Sequence, residues 1–240
     1  MAVKKLSYEN MTFEISYEIK NPKNKKDIIF LHGWGSNKEI MSQAFGDRFS
    51  NFRHIYIDIP GFGKSTNEYI LDTHSYSKIV QNFLKSIDAR EDIIFGHSFG
   101  GKVASLLNPN LLVLLSNSGI LIPKSLKTKT KIKLFKLAKK LGGGSFFRFF
   151  ASKDVEGMSQ NMYESFKKIV DEDFSAHFSN LKIKTLIFWG EDDKATPLKS
   201  GLEVSRLIKN SRFYKLKGDH YFFLQHFIFI EKALLKELNG

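Results

Sequence analysis

The strongest constraint on the fold is a set of short, unbroken apolar runs. Asp27–Leu31 reads Asp-Ile-Ile-Phe-Leu, Leu111–Leu115 is wholly apolar, and Thr185–Trp189 continues as Leu-Ile-Phe-Trp. His54–Ile59 and Asp92–Phe95 are of the same kind. Each is too short for a helix and is bounded by polar or glycine-containing turns. That marks a strand buried on both faces. Amphipathic stretches lie between them. Thr73–Ile87 brings Ile79, Val80, Phe83, Leu84 and Ile87 to one side of a helix. Phe99–Leu107, Leu198–Ile208 and Tyr221–Leu238 also read as helices, and Arg212–Leu216 as a last strand. Thr12–Ile19 differs, because it alternates apolar and polar residues as a half-buried strand does. Strands alternating with helices predict an α/β fold whose mostly parallel sheet is flanked by helices.

The rhythm breaks at residues 121–180, where no strand pattern is visible. Lys131–Leu141 places Leu134, Leu137, Ala138 and Leu141 at helical spacing, and Gly142-Gly143-Gly144 ends that helix with a flexible joint. The cluster Phe146-Phe147-Arg148-Phe149-Phe150 follows, then a second helix pattern over Met158–Val170. The expected organisation is a core of residues 1–120 and 181–240, with a helical lid or cap inserted at 121–180.

The charge is uneven. The chain of 240 residues carries a formal net charge of +12, yet Ile93–Lys153 contains no Asp or Glu. Lys124, Lys127, Lys129, Lys131, Lys133, Lys136, Lys139 and Lys140 crowd one segment. Such a run attracts acidic proteins, acidic lipid or nucleic acid, or is simply a solvated basic face. The absence of cysteine excludes disulfides and thiolate metal sites. The first residues lack an apolar signal-peptide core, and no apolar stretch is long enough to span a bilayer, so a cytoplasmic location without a transmembrane segment is expected.

The chemistry concentrates at Gly96-His97-Ser98-Phe99-Gly100-Gly101-Lys102-Val103. From Gly96 to Lys102 this is nearly a phosphate-binding loop. The residue after the lysine should then carry a hydroxyl for magnesium, and Val103 has none. From Gly96 to Gly100 it is a serine on a tight turn between strand and helix. On these residues alone, an activated nucleophile and a glycine-rich turn with an incidental serine both remain open.

Other strand ends supply candidates for the rest of a site. His32-Gly33-Trp34-Gly35, Asp192-Asp193 and His220 each follow a strand, and ligands bind at the carboxyl ends of strands in open parallel sheets. Their order is serine, acid, histidine. Together with Asp58-x-Pro-Gly-x-Gly-x-Ser65, Trp189-Gly-Glu-x-Asp193-x-x-x-Pro197 and Gly218-Asp-His220, these motifs resemble the α/β-hydrolase family with a helical cap over nearly the whole chain. The resemblance implies Ser98 as nucleophile, His220 as its base and Asp193 as the acid behind the histidine, with Asp192 as the alternative. It implies an oxyanion hole built from the backbone N–H groups of Trp34 and Phe99. Each type suits its task. A serine hydroxyl needs a base, imidazole serves as one near neutral pH, and a carboxylate fixes its tautomer.

Neighbouring residues are expected to play quieter parts. His32 braces its turn, His97 packs or lines the pocket, Asp58 caps its own turn, Asp219 faces water and Lys102 is solvated. Phe146 and Phe150 are core residues or line an acyl pocket. No metal or organic cofactor is implied.

The triad leaves the substrate open. A small carboxylic ester or thioester is the first expectation. A carbon–carbon hydrolase of ring-cleavage dienoates is the alternative, although such enzymes usually carry Asn where this chain has His97 and Pro where it has Ser36. A slow-turnover small-molecule receptor is the third. The His-Gly-Trp-Gly loop also resembles that of pimeloyl carrier-protein methyl ester esterases, which would make Lys124–Lys140 a seat for an acidic carrier protein. No nucleic-acid partner is expected.

Overall fold

The structure is a computed structural model that describes residues 2–122 and 157–239. One eight-stranded sheet organises it, in the order β1-β2-β4-β3-β5-β6-β7-β8. The strands are β1 (Ala2–Tyr8), β2 (Met11–Lys20), β3 (Asp27–Leu31), β4 (Arg53–Ile57), β5 (Ile93–His97), β6 (Leu111–Leu115), β7 (Lys184–Gly190) and β8 (Ser211–Leu216). β1 pairs antiparallel with β2, and β2 with β4; every later pairing is parallel. This is the fold class that the apolar runs and the resemblance imply.

The two-residue period of a strand divides the core into two layers. Ile28 and Phe30 of β3 join Phe95, Val113, Leu115, Leu186 and Phe188 on one face. Ile29 and Leu31 join Ile94, Leu112, Leu114 and Ile187 on the other. Both sets are buried, so these strands have no polar face and read as continuous apolar runs.

Among the described residues the helices are α1 (Lys38–Phe45), α2 (Thr73–Ser86), α3 (Phe99–Leu106), α4 (Gln160–Ile169), α5 (Ser175–Asn180), α6 (Leu198–Leu207) and α7 (Phe223–Asn239). α1 and α7 cover the first face through Met41, Phe45, Phe223, Ile230 and Leu234. α2, α3 and α6 cover the second through Tyr76, Ile79, Phe83, Val103 and Val204. Asp72 starts α2 by accepting the N–H of Ser75 at 2.8 Å, which satisfies one of the helix's free donors.

Of residues 121–180 the structure describes 121–122 and 157–180. The predicted helix Lys131–Leu141, the Gly142–Gly144 joint and the Phe146–Phe150 cluster lie outside the described residues. α4 sits on the loop that follows β4. Its Ser165 Oγ accepts the N–H of Leu71 at 2.9 Å, and Asn161 Nδ2 donates to the carbonyl of Asn67 at 2.9 Å.

Candidate active site

Ser98 stands between β5 and α3 with φ 51° and ψ −117°, a region that side-chain-bearing residues rarely occupy. Neighbouring glycines make the turn possible. A Cβ on Gly96 would lie 2.5 Å from the Gly100 carbonyl oxygen, and one on Gly100 would lie 2.4 Å from that of His32. The strained turn is fastened from β6 and the loop after it. Ser98 N–H donates to the Leu115 carbonyl at 3.1 Å, and the Ser98 carbonyl accepts Ser118 N–H at 3.0 Å. A strained non-glycine residue held this firmly at a strand end is a pointer to function.

The acid and histidine loops follow β7 and β8. Backbone bonds join them, with Asp192 N–H donating to the Gly218 carbonyl at 2.9 Å. His220 Nδ1 lies 2.7 Å from Asp193 Oδ2. An ionised carboxylate only accepts, so Nδ1 carries a proton, and in the neutral ring the lone pair is then on Nε2. Asp193 Oδ1 accepts the N–H groups of Ala195 at 2.8 Å and Thr196 at 2.9 Å. Thr196 Oγ1 stands 2.8 Å from Asp193 Oδ2. Burial of Asp193 favours its neutral form, but His220 and the Thr196 donors outweigh burial and hold the carboxyl below its ordinary range. Asp192 is exposed, so Asp193 is the carboxylate that meets His220.

Ser98 and His220 line one cavity of about 260 Å³, together with Gly33, Trp34, Phe99 and Phe166. No hydrogen bond joins the Ser98 hydroxyl to His220 in this resting arrangement, and such bonds often tighten only when substrate is bound. Trp34 and Phe99 meet edge to face with ring centroids 5.6 Å apart. Among the described residues, the backbone N–H groups of Trp34 and Phe99 donate to no backbone carbonyl. Phe99 opens α3, where N–H groups are left free and the helix dipole favours negative charge.

The surrounding residues divide into those placed as expected and those not. His32 is a brace: Nδ1 lies 2.7 Å from the Gly33 carbonyl, and Nε2 accepts Ile59 N–H at 3.0 Å. Its complete burial pushes its pKa down to about 4. His97 is buried and lines the cavity. Asp219 is exposed, although its carboxylate accepts Tyr221 N–H at 2.8 Å. Phe146, Phe150 and the basic segment Lys124–Lys140 lie outside the described residues.

One expectation is corrected and another is extended. Lys102 is not solvated. It is 2% exposed, and its Nζ donates to the Ile169 carbonyl at 2.7 Å and to Glu172 at 3.0 Å. Its long stem folds along the cavity wall, so the charge reaches α4 instead of water. Asp58 does more than cap its own turn. It accepts Lys64 N–H at 3.0 Å, but also Lys38 N–H at 2.8 Å and Lys38 Nζ at 2.7 Å. Thr196 was not singled out from sequence. Its position three residues after Asp193 is the spacing at which an aspartate bonds a following N–H, and that was the available signal. Among the described residues, no group of His, Asp and Glu is arranged to hold a metal. No helix among them is long and apolar enough to cross a membrane.

Residues 28–226 match the family described as "Alpha/beta hydrolase family". An uncharacterized hydrolase of Bacillus subtilis, YugF, is 23% identical over 84% of this chain and 85% of its own length. The pimeloyl-[acyl-carrier protein] methyl ester esterase of Edwardsiella ictaluri is 32% identical, over 34% of this chain and 30% of the esterase. This chain thus aligns with less than a third of that relative. The structure of an esterase from Exiguobacterium antarcticum superposes with a TM-score of 0.74 at 18% identity, covering 95% of this chain and 96% of that one. At such identity the likeness is one of fold.

Proposed function

The chain belongs to the alpha/beta hydrolase family, and from that premise we propose that it is a serine hydrolase of small carboxylic esters or thioesters. Ser98 is the nucleophile, His220 the general base and Asp193 the residue that holds His220 in its useful tautomer. Ser98 Oγ attacks the acyl carbon while its proton passes to His220 Nε2. The backbone N–H groups of Trp34 and Phe99 receive the oxyanion. His220 then gives the proton to the departing alcohol or thiol, which leaves an acyl-enzyme. Water repeats the path and releases the acid. From the described part of 121–180, Phe166, Ile169 and Val170 help to line the cavity.

One observation carries the reading. The imidazole of His220 is anchored through Nδ1 by Asp193 at 2.7 Å, and it opens into the same cavity as a serine on a strained turn. The cavity, at about 260 Å³, lies below the usual range of ligand pockets, and Trp34, Phe99 and Phe166 line it. Both features favour a short acyl group. The test is hydrolysis of p-nitrophenyl acetate, butyrate and octanoate by wild type and Ser98→Ala. Turnover should favour the shorter chains, and Ser98→Ala should lower kcat by about three orders of magnitude or more without unfolding the protein. A ring-cleavage dienoate in the same panel should remain intact; its turnover in preference to the esters would select carbon–carbon hydrolysis instead.

A second reading is favoured by the sequence match to the pimeloyl carrier-protein esterase and by the lysines of 124–140. It makes the preferred ester one borne by an acidic carrier protein. Carrier-protein esters should then be cleaved faster than the same acyl methyl esters, with the advantage shrinking as salt rises. Equal rates at low salt would eliminate it.

A further inference from the structure

His97 occupies the space between the strained serine turn and the His220 loop, and is 1% exposed. Its Nε2 lies 3.0 Å from the backbone carbonyl oxygen of His220. A carbonyl only accepts, so Nε2 carries the proton. The His97 ring lies 4.6 Å from that of His220, 5.3 Å from Tyr221 and 4.9 Å from Phe223, centroid to centroid. On its other side is the oxyanion loop. A Cβ on Gly33 would fall 3.1 Å from His97 Nδ1 and 3.0 Å from Ser98 Cβ. One imidazole therefore touches the histidine loop and the oxyanion loop while following directly from the serine strand.

We infer that His97 is a positioning residue, whose Nε2–H grips the His220 carbonyl and fixes the angle at which the His220 ring meets Ser98. The inference rests on the serine-hydrolase reading above. Asp193 anchors the His220 ring at one atom, Nδ1, and a ring held there can still pivot. Ser98 and His220 are not hydrogen-bonded at rest, so nothing between those two side chains sets the angle. The bond to the His220 carbonyl fixes the backbone from which that side chain springs, and the His97 ring, packed 4.6 Å from the His220 ring, limits the pivot. Proton transfer depends steeply on such placement.

A neutral His97 can make this grip, since one ring proton on Nε2 suffices. Each turnover makes the neighbouring His220 a cation, and a second imidazolium beside it would oppose that step. Burial, and then the charge of His220, hold the His97 pKa well below its ordinary value. Nδ1 is buried without a hydrogen-bond partner, as befits a ring whose single proton is committed to Nε2.

The test compares His97→Gln, which keeps an N–H donor at the far end of the side chain, with His97→Phe, which keeps a ring and loses the donor. His97→Met is a second donor-free variant should the Phe variant not fold. Ser98→Ala and His220→Ala run beside them on p-nitrophenyl butyrate. The donor-free variant should lose about tenfold or more in kcat, with KM within about threefold of wild type. His97→Gln should recover most of that loss. If Ser98→Ala is inactive while the donor-free and Gln variants perform alike, whether both near wild type or both impaired, His97 holds nothing in place and the inference falls alone. If Ser98→Ala keeps wild-type turnover, the serine-hydrolase reading falls and takes the inference with it.

Discussion

Asp193 shows how one residue's surroundings settle a protonation state. Burial works against its charge, yet His220 Nδ1–H, two backbone N–H groups and the Thr196 hydroxyl all converge on it. The folded-state pKa is depressed, so the sign is clear. The stabilisation is present above the ordinary value of 3.8 and is lost as pH falls through the lower folded value. Asp193 thus stays ionised while pH falls from neutral toward 3.8, and activity lost in that interval does not come from its protonation. Asp193→Asn keeps the shape and removes the charge. Its amide can donate to Nδ1, which favours the tautomer whose proton sits on Nε2, where a base is needed. We expect kcat on p-nitrophenyl butyrate to fall by about 10³ to 10⁴. A variant within tenfold of wild type would show that the carboxylate does not set the tautomer.

At the scale of elements, the described part of 121–180 is tied to the core by a buried cation. Lys102 reaches from α3 to the Ile169 carbonyl at the end of α4 and to Glu172, which also accepts the Thr73 hydroxyl. Its ammonium stands 5.0 Å from the centre of the Phe174 ring. Lys102→Met preserves the stem and deletes the charge, leaving the Ile169 carbonyl with the Glu172 N–H at 3.3 Å and the Glu172 carboxylate with the Thr73 hydroxyl. Glu172 remains partly hydrated, at 26% side-chain exposure, which softens the loss. Destabilisation of about 1–3 kcal/mol is expected by urea unfolding; no change would mean that the tie is idle. Sequence could not foresee this tie, because a lysine at a helix start is ordinarily solvated and its carboxylate lies 70 positions away. The same logic separates the legible elements from the hidden ones. β3, β5, β6 and β7 show as apolar runs because both their faces are covered. β1 pairs only with β2 at the sheet edge, has no fully buried residue, and mixes lysine and serine with its apolar positions. The eight residues of α1 and the six of α5 are too few to establish a helical period. The placement of Ser98, Asp193 and His220 beyond strand ends was legible because each sits in a glycine-containing motif that follows a strand pattern.

For the whole molecule, charge is the term that acts everywhere at once. A net charge of +12 means that compaction brings like charges together, and lowering the pH increases the excess as carboxylates protonate. Within that general repulsion lies one pair shielded from it. Lys38 Nζ meets Asp58 Oδ2 at 2.7 Å, with side chains 1% and 0% exposed. The pair fastens the start of α1 to the loop after β4. Burial opposes the Asp58 charge, but Lys38 and the N–H donors prevail and lower its pKa. Asp58 therefore contributes stability above 3.8 that disappears as pH falls through its depressed folded value. Asp58→Asn separates this local effect from the global one, since the repulsion among distant charges is nearly the same in both proteins. At pH 7 the variant should be less stable by about 2–3 kcal/mol, because buried Lys38 keeps only the half-exposed Glu39, 2.8 Å away, as a counter-ion. As pH falls below 3.8, wild type should lose its advantage and the two melting curves should converge, even while both proteins weaken together. High salt should raise both melting temperatures by screening the surface excess and leave their separation at pH 7 nearly unchanged, because a dry pair is little screened. A separation that collapses with salt at pH 7 would place the Lys38–Asp58 pair in water and not in the core.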